Sequence, residues 1–209
     1  MVSQDWLVTG DGKCEVGSES TDNLELATSQ YRLYRFLTDL EDILHKFTDD
    51  RQRLQAICPL VRRLLTSSEW LQYEYIEPDP ETGWSIVTLY DEPDFPLTVQ
   101  TVSWLPGQVS PIHNHATWGV VALISGSEKN TLWRRNNPDG AIAGADGKPF
   151  EKVGDLILTP GEIISFMPDA IHQIEALGDE PTISFNLYGE TNYEQRFEFD
   201  PITQTATIF

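Results

Sequence analysis

The chain has 209 residues, 40% of them apolar, and a formal net charge of −19. That length fits one domain with a short extension, and it can bury a core without disulfides or structural metal ions. With 33 acidic against 14 basic residues, the composition excludes a nucleic acid or an anionic membrane as the expected partner; solubility is the plain reading of the charge.

The first 28 residues are rich in Gly, Ser, Asp, Glu and Thr and read as a flexible acidic leader. No basic patch followed by an apolar core marks a signal peptide, and no apolar run reaches membrane-span length. The two cysteines, Cys14 and Cys58, form neither a Cys-x-x-Cys pair nor a disulfide framework. A reducing, cytoplasmic setting is expected.

Residues 29–76 read as a helical extension packing on the β-rich remainder of the chain. Leu33, Phe36, Leu37, Leu40, Ile43, Leu44 and Phe47 recur at three- and four-residue spacing. "DDRQRLQAICPLVRRLLTSSEWL" is a second helical segment, in which Pro59 is expected to break or kink the helix. From Trp84 to Phe209 the texture changes. Ten short runs rich in β-branched and aromatic residues, from "WSIVTLY" to "TATIF", alternate with turn residues and predict an all-β sandwich or barrel. "NNPDGAIAGADGKP" reads as a turn-rich excursion between two strands.

The chain has four histidines, and His113, His115 and His172 fall in the β-rich part. His45 sits in the helical part and reads as a surface residue. Side chains two apart on a strand share a face, so His113 and His115 present two imidazoles together. His172 lies in an apolar strand candidate, where it needs a partner or a ligand. Two readings stand: structural histidines bonded locally, or three ligands of one metal ion. Three of four histidines in such contexts favour the ion.

"GQVSPIHNHATWGVVALISG", from Gly107 to Gly126, resembles the first motif of the cupins: Gly, five residues, His-x-His, a glutamate four or five positions on, and a closing Gly. Gly119 stands where the glutamate ligates. "GEIISFMPDAIH", from Gly161 to His172, resembles the second motif less closely, with Ala170 for its glycine and the spacing one residue off. The resemblance implies a cupin double-stranded β-helix, a jelly-roll barrel, preceded by short N-terminal helices. Within the cupins the chain looks most like the thiol dioxygenases of the cysteine dioxygenase and 3-mercaptopropionate dioxygenase type. The missing glutamate, the preceding helices and "SFNLY", Ser184 to Tyr188, carry that likeness. It implies Fe(II) held by His113, His115 and His172, a small thiol and O2 as substrates, and catalytic roles for Ser184, Asn186 and Tyr188.

The chemistry suits those residues. Three neutral imidazoles leave an ion its full charge, which fits a substrate that binds as an anion, such as a thiolate. Imidazoles alone would also suit zinc, nickel or copper; iron comes from the resemblance. Alternation puts Ser184, Asn186 and Tyr188 on one face. Asn186 stands at the family's histidine, and an amide cannot shuttle a proton near neutral pH. Gly119 also removes any cysteine that would crosslink to Tyr188. No arginine lies between Trp84 and Trp104, where cysteine-type members hold the carboxylate. Arg196, eight residues past Tyr188, is the substrate-binding candidate of the mercaptopropionate type; otherwise it is a surface residue paired with Glu194 or Glu198. Arg134 and Arg135 are expected near the barrel's outside, and Trp104 and Trp118, which flank the histidine strands, are expected in the core, with walling the pocket as the alternative.

The expected function is therefore oxidation of a small thiol carboxylate to its sulfinic acid. The alternatives are a cupin metalloenzyme with another small-molecule substrate and a non-enzymatic cupin that binds a metal or ligand. A monomer or small homo-oligomer is expected.

Overall fold

A computed structural model describes residues 4–17, 31–136 and 149–208. After a short hairpin, β1 (Asp5–Val8) and β2 (Cys14–Val16), come two helices, α1 (Leu33–Lys46) and α2 (Asp50–Ser67), followed by a 3-10 turn at Glu69–Gln72. Phe36 and Leu40 are the fully buried residues of α1, with Leu33, Leu37, Ile43 and Leu44 packed around them as the periodicity predicts. The Asp49 side chain caps α2 by accepting from the Gln52 backbone N–H at 2.9 Å. α2 continues through Pro59, so of the expected break or kink the break does not occur. Its buried face of Leu54, Ile57, Cys58, Val61 and Leu64 spans both sides of the proline, so packing outweighs the lost backbone hydrogen bond.

Beyond the helices come β3 (Trp84–Tyr90) and β4 (Thr98–Trp104). β5 (Ile112–Asn114), β6 (Gly119–Ser125), β7 (Ser127–Arg135) and β8 (Phe150–Leu158) come next. Then come β9 (Ile163–Phe166), β10 (Ile171–Leu177), β11 (Thr182–Tyr188), β12 (Phe197–Asp200) and β13 (Thr205–Ile208). One sheet contains the order β9-β6-β11-β4-β3 and the other β13-β12-β5-β10-β7-β8. The two four-stranded cores, β9-β6-β11-β4 and β5-β10-β7-β8, pack face to face as a jelly roll. The fold is thus mainly β, a cupin-type jelly roll behind N-terminal helices.

The stretch read as a loose leader differs from expectation. β1 (Asp5–Val8) and β2 (Cys14–Val16) form a hairpin, and β1 pairs in parallel with β9, Trp6 opposite Ile164. Leu7 packs with the helices and Val8 with the barrel interior, so both faces of β1 gain burial. Burial and the capping of an otherwise open β9 edge override a polar composition. Arg62 of α2 holds this hairpin, donating to the Gly161 carbonyl at 2.9 Å and pairing with Asp5. The rest of the leader and nearly all of the "NNPDGAIAGADGKP" excursion lie outside the described residues.

Alternation divides the first sheet. Val99, Val120, Ala122, Phe185 and Leu187 face the helices, with Phe36 edge-on to Phe185 at 6.3 Å between ring centroids. Val121, Leu123, Ile164 and Phe166 face inward and meet Leu132 and Leu158 of the opposite sheet. The inner face of the barrel beyond this apolar plug holds the histidines. No described helix is long and apolar enough to cross a membrane.

Candidate metal centre

His113 lies on β5 and His172 on β10, directly paired across the ladder. His115 comes just after the end of β5, before Ala116 takes a φ of 54° and turns the chain towards β6. The ring centroids are 4.7 Å apart for His113 and His172, 4.8 Å for His113 and His115, and 5.1 Å for His115 and His172. One donor nitrogen from each lies within 4.8 Å of the others. His45 is exposed on α1, far from this group, as expected.

Hydrogen bonds fix which nitrogens face each other. His113 Nδ1 sits 3.0 Å from the Pro111 carbonyl and His172 Nδ1 sits 2.9 Å from Asn130 Oδ1. A carbonyl accepts, so both Nδ1 atoms carry the proton and both Nε2 atoms carry the lone pair. His115 Nε2 and His172 Nε2 approach to 3.0 Å. Two nitrogens bound at about 2.1 Å to neighbouring positions of one ion lie about 3 Å apart. The donor set therefore fits a divalent metal ion.

Electrostatics agree. Enclosure by protein penalises the imidazolium at all three positions. It pushes His113 down to about 4, against the pull of the Pro111 carbonyl and helped by Arg196. His115 falls well below the ordinary histidine range through burial first, then the charges of His113, His172 and Arg196. His172 falls through burial and His113. All three are neutral at pH 7, the form that binds metal.

The serine, asparagine and tyrosine predicted to share a face of β11 do so. The Tyr188 hydroxyl donates to Asn186 Oδ1 at 3.0 Å, and Asn186 Nδ2 donates to Ser184 Oγ at 2.9 Å. The Tyr188 ring stacks on His115, with centroids 4.4 Å apart and planes 26° apart. Burial, then the nearby Glu128, holds the Tyr188 phenol well above its ordinary range, so it keeps its proton. Gly119 explains how the ring fits. It pairs with Tyr188 across β6 and β11, and a Cβ there would lie 2.7 Å from Tyr188 Cδ1. The space a side chain at position 119 would occupy is filled by the tyrosine ring.

These groups line one cavity of about 530 Å³, together with Arg196, just before β12. Arg196 is half-buried and its charge reaches His113, His115 and Tyr188. Trp104 lines the same cavity, whereas Trp118 is buried in the core beside the helices. Arg134 is paired with Glu151 and Arg135 lies over Phe197 and Phe199, both on the outside as expected.

Two features escaped the sequence reading. Glu128 is 2% exposed, lines the cavity and accepts from Asn130 Nδ2 at 2.8 Å, completing a Glu128–Asn130–His172 chain. Burial pushes its carboxyl up to about 7, against the Asn130 hydrogen bond. The signal was alternation: Glu128, Asn130 and Leu132 share a face of β7, which begins two residues before the strand read from sequence. The second is an apolar wall. Trp84, Ile86 and Val102 line the cavity with Trp104, on paired positions of β3 and β4.

No protein-family model matches the sequence. Among solved structures, an oxalate oxidase in complex with the substrate analogue glycolate aligns at 15% identity and a TM-score of 0.39, over 55% of this chain and 54% of that one. The cupin-2 domain of an XRE family transcriptional regulator from Enterobacter cloacae aligns at 16% identity and a TM-score of 0.37, over 53% and 99%. A cupin-2 domain protein from Rhodospirillum rubrum aligns at 12% identity and a TM-score of 0.43, over 57% and 68%. The matched region spans about half of the oxalate oxidase. Likeness at this level says nothing of activity, and the jelly roll stands on its own strand order.

Proposed function

We propose that this protein is an iron(II)-dependent thiol dioxygenase that converts a thiol carboxylate to its sulfinic acid. The observation that carries the reading is the convergence of three neutral imidazoles, without a carboxylate ligand, beside Tyr188 and Arg196 in one cavity. When bound, Fe(II) would favour the thiolate over the thiol and bring it next to O2. The reaction balances without a cosubstrate: R–SH and O2 give R–SO2H, with two S–O bonds formed, the O–O bond broken and sulfur supplying four electrons.

The protein's residues do the positioning. His113, His115 and His172 hold the ion, and the Asn130 amide fixes the His172 ring. Arg196 offers a planar donor pair to the substrate carboxylate. Tyr188 donates its hydroxyl hydrogen bond to Asn186 Oδ1, so its oxygen is left to accept from the cavity side. Asn186 orients that phenol and carries no proton onward, so the Ser184–Asn186–Tyr188 chain is a positioning device.

The test is anaerobic iron loading followed by a panel of small thiols in air. Oxygen uptake matched one to one by sulfinate, lost in His172→Ala together with the bound iron, is the expected result. Full iron occupancy with no thiol oxidised overturns the reading.

A further inference from the structure

The cavity is larger than a small thiol acid needs. 3-Mercaptopropionate has six heavy atoms and fills roughly 180 Å³ even at a water's share of about 30 Å³ each. The cavity measures about 530 Å³. Part of it extends across the first sheet. The inner face of the first sheet carries the cavity from Tyr188 on β11, across Gln100 and Val102 on β4, to Trp84 and Ile86 on the edge strand β3. Two strand spacings separate β11 from β3, roughly 10 Å.

The two ends differ in chemistry. Near the histidines the lining is polar: Ser184, Asn186, Tyr188 and Arg196. At the other end Trp84 and Ile86 stand opposite Trp104 and Val102, with the two indoles 6.3 Å apart. Trp84 is 40% exposed and Ile86 38% exposed, on the edge strand β3. An open aromatic and aliphatic wall continuous with a polar, metal-competent end is the shape of a site for an amphipathic small molecule. Resting on the thiol reading above, we infer that the substrate is a mercapto acid whose thiol and carboxylate sit on a ring-sized apolar body. The ring packs on Trp84, Ile86, Val102 and Trp104 while the acid meets Arg196.

The experiment measures Kd by calorimetry on iron-loaded protein under argon. Its three probes are 3-mercaptopropionate, 2-mercapto-3-phenylpropionate and 3-phenylpropionate, which has the ring and acid but no thiol. Air is then admitted and sulfinate measured. The phenyl-bearing mercapto acid should bind at least about ten-fold tighter than 3-mercaptopropionate. Trp84→Ala and Ile86→Ala should each shrink that ratio, and 3-phenylpropionate should weaken in the same variants. Equal affinity of the two mercapto acids, with both variants unchanged, overturns the inference. Ring-dependent binding without sulfinate from any thiol upholds the apolar-bodied ligand and overturns the dioxygenase reading instead. Sedimentation of the wild type as a dimer that Trp84→Ala dissolves makes the wall a contact between copies of the chain, and also overturns the inference.

Discussion

Glu128 gives the sharpest prediction, because its burial has a sign as well as a size. In the metal-free protein burial raises the carboxyl from 4.5 to about 7. Folding therefore retains a proton that the unfolded chain releases between those values. Glu128's contribution to stability is fully present below pH 4.5 and is lost as pH rises through about 7. A shift of that size is worth roughly 3 kcal/mol, most of which falls between pH 5 and pH 8. Glu128→Gln keeps the shape and an acceptor for Asn130 but cannot ionise. The three imidazoles, all pushed below 6.5, act in the opposite sense. Their stabilisation is present above 6.5 and is lost as pH falls towards their folded values. That effect is common to both proteins and cancels in the comparison. Urea unfolding of metal-free wild type and Glu128→Gln at pH 5 and pH 8 should show the wild type losing about 2–3 kcal/mol relative to the variant. A difference that does not change with pH refutes the claim that Glu128 is a desolvated, chargeable acid.

Gly119→Ala places a Cβ 2.7 Å from the Tyr188 ring, so the ring must leave its stack on His115. A cost of about 1–3 kcal/mol in urea unfolding is expected, and none would mean the ring is not seated there. Asn130→Ala removes the acceptor for His172 Nδ1–H and should weaken metal affinity roughly 10–100-fold in competition with a chelating dye. Unchanged affinity would show that the amide does not orient the ligand. Phe185→Ala empties a fully buried position between the sheet and α1 and should cost about 3–5 kcal/mol; a loss under about 1 kcal/mol would contradict helix-to-sheet packing there.

Much of this was legible because period and chemistry coincide. The spacing of Phe36 and Leu40 marks a helix face, and the two-residue alternation of Ser184, Asn186 and Tyr188 marks a strand face. Both patterns survive because each buries one side. The hairpin of β1 and β2 was hidden because its reason is tertiary: a short strand in polar surroundings pairs only because β9 offers an edge and α2 offers Arg62. Pro59 misled in the opposite direction, since a rule about local hydrogen bonds says nothing of the apolar face that holds α2 together. Gly119 was visible as an absent ligand, but what fills its space is set by the cross-strand register with Tyr188. Glu128 looked like one more acid among 33. Only its place on the inward face of β7 separates it from the rest.

The distribution of charge then bears on how the cavity selects. Over the whole chain acids outnumber bases by more than two to one. Within the cavity, among the described residues, Glu128 is the one carboxyl and Arg196 the one arginine. With Glu128 half-protonated near neutrality and three imidazoles uncharged, the cavity carries little negative charge of its own, and a bound divalent ion would make it strongly positive. An anionic ligand would thus be repelled by the surface at long range and attracted only once inside. Surface repulsion is screened over about 8 Å at physiological ionic strength, whereas charges in the cavity are shielded from salt. On the proposed function, selection for a carboxylate would rest on Arg196 and the metal position at contact distance, and electrostatic steering would not supply it. A ligand admitted against the field of the surface needs a further source of affinity, and the wall of Trp84, Ile86, Val102 and Trp104 is the uncharged part of the cavity that can provide it.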